Sequence, residues 1–268
     1  MTETAIPPAP RRYRGANWFG LWTLYRREVR RFLKVGMQTV LAPVVTTLLY
    51  MLVFVVAIGS GRQILPGVDF AHFVGPGLIM MAILNNAFAN SSSSILQAKM
   101  MGLTPDFLTP PLSSVELAVG FTAGAVTRGV FVGSITAIAV WIFTRYHVEH
   151  LWAVIYFGFG AALMLALLGI FTGLWSEKFD HLAAVTNFLI MPMTFLSGTF
   201  YLVDKLPEPF HAISHFNPFF YMIDGFRYGF LGVSDGSLLI GALIMLALNA
   251  VLAIACWLLF HTGYRLRS

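Results

Sequence analysis

Apolar runs of about twenty residues follow one another through most of this chain with few charges between them, and this pattern restricts the fold more than any other feature. A helix rises 1.5 Å per residue, so roughly 20 apolar residues cross the ~30 Å hydrocarbon core of a bilayer. The runs predict spans at about 37–58, 70–92, 115–143, 152–175, 183–203 and 238–260. Of the 268 residues 57% are hydrophobic and 11% are charged, whereas soluble domains carry about a quarter charged residues. The expected fold is an all-α membrane protein with six transmembrane helices. One membrane domain covers 18–268, and the polar, proline-rich tail 1–17 is expected to be disordered.

The net charge of +5 does not point to nucleic acid, because eight of the seventeen Lys and Arg residues precede the first long run. That basicity reads as membrane-surface charge. Lys99, Lys178, Arg265 and Arg267 add four on the same side, against Arg62, Arg145, Lys205 and Arg227 on the other. Twelve against four places both termini in the cytoplasm by the positive-inside rule. The first run begins too late for a cleavable signal peptide, so the first span is expected to stay as an anchor. The one cysteine, Cys256, lies inside a run and leaves no disulfide framework or Cys-based metal site.

Between 18 and 35, Trp18, Leu21, Trp22, Tyr25, Val29, Phe32 and Leu33 recur at helical spacing, with Arg26, Arg27, Arg30, Arg31 and Lys34 on the other side. This predicts an amphipathic helix in the membrane interface, or one packed on another protein domain. Further on, the connection 97–114 is too apolar for a solvated loop. Met100, Met101, Leu103, Phe107 and Leu108, with Lys99 and Asp106 among them, predict a short cytoplasmic helix offered to a partner, or a loop tucked against the chain's own helices.

Inside the spans, Arg128 needs a partner, since an Arg at the membrane centre costs at least about 2.5–3.5 kcal/mol. It lines a polar pathway with Asn85, Asn86 and Asn90, or ties two helices by bonding a carbonyl or Glu116. Segment 206–232 is too broken by prolines for a span and too aromatic for a free loop, which predicts re-entrant outer helices before the last span. Asn217 and Pro218 read as a cap and first turn. Tyr221, Asp224 and Arg227 are gate candidates, and the latter two, three apart, share a face as an exposed stabilising contact or a gate.

Glycines four apart, at 120/124, 129/133 and 169/173, allow close helix contacts, within the chain before between chains. His147/His150, His211/His215 and Glu177/Asp180/His181 have spacings compatible with metal ligation, yet none completes a metal-site motif, so no metal is expected. Neither a serine elbow nor a phosphate-binding P-loop occurs, so no catalytic residue is expected.

Several segments together resemble the permease subunits of type 2 ABC exporters, the ABC-2 family, and in particular its YadH-like branch. They are Pro76-Gly-Leu-Ile-Met80, Asn90-Ser-Ser-Ser-Ser94 before Lys99, Arg128-Gly-Val-Phe-Val-Gly133 and Glu177-Lys-Phe-Asp-His181. The most specific runs from Phe195-Leu-Ser-Gly-Thr-Phe-Tyr201 through Leu206-Pro207 and Asn217-Pro218 to Tyr221-Met-Ile-Asp-Gly-Phe-Arg-Tyr-Gly-Phe-Leu-Gly232.

The resemblance implies a homodimer in a bacterial inner membrane, in contact with its lipids and not with nucleic acid, served by two copies of a separate ABC ATPase. That partner would carry ATP and magnesium, leaving no cofactor in this chain. Residues 99–112 would be the cytoplasmic coupling helix, although relatives usually carry a glutamate there, where Met100, Met101 and Asp106 stand. The substrate would move outward and is expected to be amphipathic or lipid-linked. An ion-coupled secondary transporter or an intramembrane enzyme are the other readings. The first would favour acids buried in the spans, where only Glu116 stands, and the second a carboxylate or His pair at one membrane depth.

Overall fold

The four serines at positions 91–94 do not interrupt the apolar run that leads to them. In the computed structural model of the chain, which describes residues 15–58, 63–65 and 68–266, the second expected span is a 31-residue helix, Phe70–Met100. Ser92 Oγ donates to the Phe88 carbonyl at 2.7 Å, so the hydroxyl is satisfied by its own helix. Ser91 Oγ reaches the Ala166 carbonyl of a neighbouring helix, also at 2.7 Å. The span therefore does not end near Ser92 as expected; it runs on to Met100, about 46 Å in all at 1.5 Å per residue.

In chain order the elements are α1 (Trp18–Lys34), α2 (Gly36–Leu52, continued by a π turn Val53–Ile58), an antiparallel pair β1 (Gln63–Leu65) and β2 (Val68–Asp69), α3 (Phe70–Met100) and the short α4 (Pro105–Leu108). Then come α5 (Ser114–Thr144), α6 (Leu151–Trp175), α7 (Phe179–Val185), α8 (Met191–Phe195), α9 (Phe210–Phe216), α10 (Pro218–Leu231) and α11 (Leu238–Thr262). Among the described residues five helices, beginning at Gly36, Phe70, Ser114, Leu151 and Leu238, are long and apolar enough to cross a membrane. They correspond to the expected spans one to four and six. Positions 1–14, with most of the expected tail, and the loop residues Gly59, Gly61, Arg62 and Pro66, together with Arg267, lie outside the described residues.

The fifth expected span, 183–203, needs correction. Here α7, a π turn Thr186–Ile190 and α8 follow without a gap, so the helical rod spans 179–195. Pro192 accounts for the irregularity, because it has no N–H and its ring crowds the carbonyl four residues back. Beyond Phe195 the chain turns at Gly198, whose φ of +74° is open to glycine at no steric cost.

Helix α3 runs through the middle of the bundle between α5 and α6, and its residues 73–84 are all buried. Around it lie two apolar clusters. One gathers Phe73, Leu78, Met80, Phe157, Leu165, Phe226 and Phe230; the other gathers Leu24, Ile95, Phe107, Phe121, Leu174, Cys256 and Phe260. By contrast α2 and α11 expose Leu41, Val45, Leu49, Leu243, Leu246 and Ile254, the surface a lipid solvent requires.

Each glycine pair faces a neighbour within the chain. Gly169 and Gly173 back onto the α3 backbone at Phe88 and Ser92, Gly129 and Gly133 onto Ile83 and Ala87, and Gly120 and Gly124 onto Leu24 and Glu28. The last pair explains where α1 goes: its Leu24, Glu28 and Phe32 are buried against the bundle, chiefly on α5. Its Trp18, Phe19, Trp22 and Leu33 stay exposed. The apolar residues of α1 are thus divided between the chain's own bundle and its surroundings.

Candidate functional site

At one end of the bundle, where α3, α6 and α11 finish together, the Lys99 ammonium donates to the carbonyls of Leu174 at 2.5 Å and Ser176 at 2.7 Å. A helix C-terminus leaves carbonyls unpaired and carries negative partial charge, so a cation there closes it. Arg265 does the same beside it, donating to the Trp175 carbonyl at 2.6 Å and to Glu177 Oε1 at 3.1 Å.

Lys99, which is half-buried, therefore clasps α3 to the end of α6. Phe107 follows the second of the two expectations, a segment tucked against the chain's own helices: it is 2% exposed, edge-on to Phe121 at 5.4 Å, and anchors α4 to α5. The other coupling candidates, Met100, Met101, Leu103, Asp106 and Leu108, are exposed. Next to them a cavity of about 260 Å³ opens between α1 and α4, lined by residues that include Phe19, Arg27, Asp106 and Leu112.

Half-way along α3 lies a polar band. The Arg128 Nε donates to Asn86 Oδ1 at 3.3 Å. Glu116 is not its partner, because that carboxylate closes a capping box with Ser113 and accepts from the Asn17 backbone N–H. Asn85 and Asn86 each donate back to the carbonyl four residues earlier, at 3.0 Å. Both border a cavity of about 230 Å³ between α2 and α3 that also presents Thr46, Thr47 and Tyr50.

Asn90 is fully buried and engaged elsewhere. Its carbonyl oxygen and Oδ1 accept from Arg31 Nη2 at 2.6 and 3.0 Å. The same Arg31 donates to Ser93 Oγ at 3.3 Å and to Glu28 at 3.4 Å, while Glu28, fully buried, accepts from Ser94 Oγ at 2.8 Å. The helical pattern of 18–35 does not include Glu28, and it sets Arg31 on the basic side, away from the apolar residues, without a partner in the bundle. A signal existed: Glu28 falls midway between Leu24 and Phe32, four residues from each, on the side that packs.

The opposite, Phe70 end holds α9 and α10. Asn217 Oδ1 accepts from the Phe219 N–H at 3.0 Å and its Nδ2 donates to the Met193 carbonyl at 2.6 Å, so one side chain caps α10 and closes α8. Pro218 follows at the first helical position, as expected. Tyr221 packs on Gly241 of α11.

Asp224 and Arg227 do not make the exposed contact expected of them; each is 3% exposed. Asp224 accepts the backbone N–H groups of Asp235 at 2.8 Å and Gly236 at 3.0 Å, holding the loop into α11. Arg227 donates to the Gly198 carbonyl at 2.6 Å and lies 3.8 Å over the Phe73 ring. In that loop, burial pushes the Asp235 carboxyl above its usual range and the nearby Arg227 guanidinium opposes the rise.

The three candidate sets thus occupy three levels of the bundle. Among them the structure joins Asn86 to Arg128, ties Asn90 to α1, and packs Asp224 and Arg227 against separate loops. The family profile of ABC-2 type transporters matches residues 20–231. The chain is 34% identical over 252 residues to the inner membrane transport permease YadH of Escherichia coli, covering 94% of this chain and 98% of that protein. It is also similar to nodulation protein J of Rhizobium leguminosarum, with 25% identity over 81% of this chain and 83% of that protein, and to its counterpart in Rhizobium meliloti, with 23% identity over 81% and 82%.

Proposed function

We propose, because this chain belongs to the ABC-2 type transporter family, that it is the membrane subunit of an ATP-driven exporter of the bacterial inner membrane, working as a homodimer with two copies of a separate ABC ATPase. The observation that carries this reading is the exposed apolar segment at the Lys99 end. Met100, Met101 and Leu103 are 54%, 62% and 41% exposed at the tip of the most buried helix of the bundle. Exposed methionines of this kind adapt to a partner surface.

In this reading the Lys99 end, with its Arg and Lys residues, lies in the cytoplasm, and α9 and α10 dip into the opposite leaflet. A push on residues 100–108 passes directly into α3, and Lys99 and Arg265 spread it to α6 and α11. The exposed segment fits a groove of the ATPase. The polar band around Asn85, Asn86 and Arg128 lies on the transport pathway, and Asn217, Pro218, Tyr221, Asp224 and Arg227 build its outer gate. The substrate is amphipathic or lipid-linked. Catalysis of ATP hydrolysis belongs to the partner.

The test is reconstitution. The chain is co-purified with candidate ATPase subunits, placed in liposomes and assayed for ATP-dependent efflux with and without the ATPase. Transport that needs the ATPase supports the reading; transport by the chain alone on an ion gradient overturns it.

A further inference from the structure

Two histidines and an aspartate converge on one point at the Phe70 end. His211 and His215 stand one turn apart on α9, and their Nε2 atoms face each other at 3.2 Å. Asp204, on the 3₁₀ turn Val203–Lys205, brings Oδ1 to 3.5 Å from His211 Nε2. One ligand atom from each of the three residues lies within 4.8 Å of the others. We propose that Asp204, His211 and His215 bind a single transition-metal dication of the zinc type.

The spacing fits that ion. With Zn–N near 2.0–2.1 Å and Zn–O near 2.0–2.2 Å, donors of a tetrahedral site stand about 3.3 Å apart, so the two imidazoles already have the separation an ion requires. Without an ion, one of the two facing imidazole nitrogens must carry an N–H and donate it to the lone pair of the other. With one, both lone pairs are used. Two imidazoles and one carboxylate suit zinc and its neighbours, whereas calcium and magnesium take sets built of oxygen ligands.

A supporting shell is also present. Glu208 Oε1 lies 3.2 Å from His211 Nδ1, where it holds that proton and turns the Nε2 lone pair toward the site. The His215 ring is set edge-on to Phe220 at 5.0 Å. Asp204 and His211 are 64% and 33% exposed, so an ion can enter and a fourth position stays open to water. The spacing of the histidines was visible in the sequence, but the third ligand lies across two prolines and only the fold brings it in.

A bound ion would clamp the 3₁₀ turn to α9, which leads directly into the α10 helix that holds Asp224 and Arg227. The experiment needs no ATPase and so stands apart from the transport reading. Full-length chain in detergent, freed of affinity tag and stripped with chelator, is titrated with Zn²⁺ and analysed for metal content. The expected result is one ion per chain, lost in His211→Asn and in His215→Asn, weakened about 10–100-fold in Glu208→Gln, and unchanged in the control His147→Asn. Co²⁺ added to the wild-type chain should give the intense visible bands of a four-coordinate site, a readout independent of any variant's folding. Zinc content below about 0.2 per chain, equal content in the double variant of His211 and His215, or only the weak bands of six-coordinate cobalt would overturn the proposal.

Discussion

Arg31 Nη2 stands 2.6 Å from the Asn90 carbonyl oxygen, so α1 is fastened to the middle of α3 by a charged hydrogen bond inside the bundle. A bond of this kind contributes about 1.5–3 kcal/mol and couples the helix at the centre to the peripheral one. Its buried Glu28 has no other cation within ion-pair distance among the described residues.

Replacing Arg31 by Ala removes the cation beside a fully buried carboxylate, and losing one partner of a buried pair costs about 3–5 kcal/mol. Arg31 is partly exposed, which puts the expected loss near the lower figure. Denaturant titration in detergent should show it, with Arg31→Lys recovering part through its charge alone. An Arg31→Ala chain as stable as wild type would mean the bond contributes nothing.

Met101 and Phe107 should separate docking from folding. Met101→Asp places a charge on a residue that is 62% exposed, where the C-terminal end of α3 makes it cost no more than about 1 kcal/mol, so the chain stays folded and loses ATPase capture in pull-downs. Phe107→Ala empties a packed position and should cost about 3–5 kcal/mol. Equal ATPase retention by Met101→Asp and wild type would remove the segment from the proposed coupling.

Gly169 sets the distance between α3 and α6. A Cβ there would lie 2.7 Å from the Phe88 carbonyl oxygen, which is backbone and cannot turn aside. Gly169→Ala should destabilise by about 1–3 kcal/mol. The control is Gly36→Ala, where a Cβ would meet nothing within 4 Å and the melting curve should not fall.

Arg227→Ala should free the turn at Gly198 and lower stability by about 3 kcal/mol, since a charge-assisted bond and a buried cation–π contact are lost together. Arg227→Lys keeps charge but not the flat stacking surface, and should recover less than half. The same thermal scans check both. Full rescue by Lys would show that charge alone matters there.

Periodicity made α1, α2, α5, α6 and α11 legible to within a few residues, because a long apolar run in lipid has few alternatives to a helix. The Asn217–Pro218 cap is a local device, readable from neighbours in sequence, whereas the Ser113–Glu116 capping box was not read there, Glu116 being weighed only as a partner for Arg128. Other features were not legible. Serine looks polar, so α3 was expected to end early, yet its hydroxyls bond back to the helix. Phe107 and Met101 look alike in a list of apolar residues, and only packing distinguishes an anchor from an exposed contact.

What the sequence by itself determined was that the chain forms long apolar helices, where most of them lie, and which family it resembles, since each rests on composition and spacing within one segment. Only the tertiary structure decided which polar groups meet: Arg128 with Asn86, Arg31 with Asn90, Asp224 with the backbone N–H groups of Asp235 and Gly236, and Asp204 with His211. Those pairings join residues far apart in the chain or separated by turns, and no local periodicity encodes such a contact. For the buried groups it exists because a low-dielectric bundle makes an unpartnered polar atom costly, so each takes the partner that packing brings within reach, while Asp204 meets His211 at the surface because the turn and α9 are folded together.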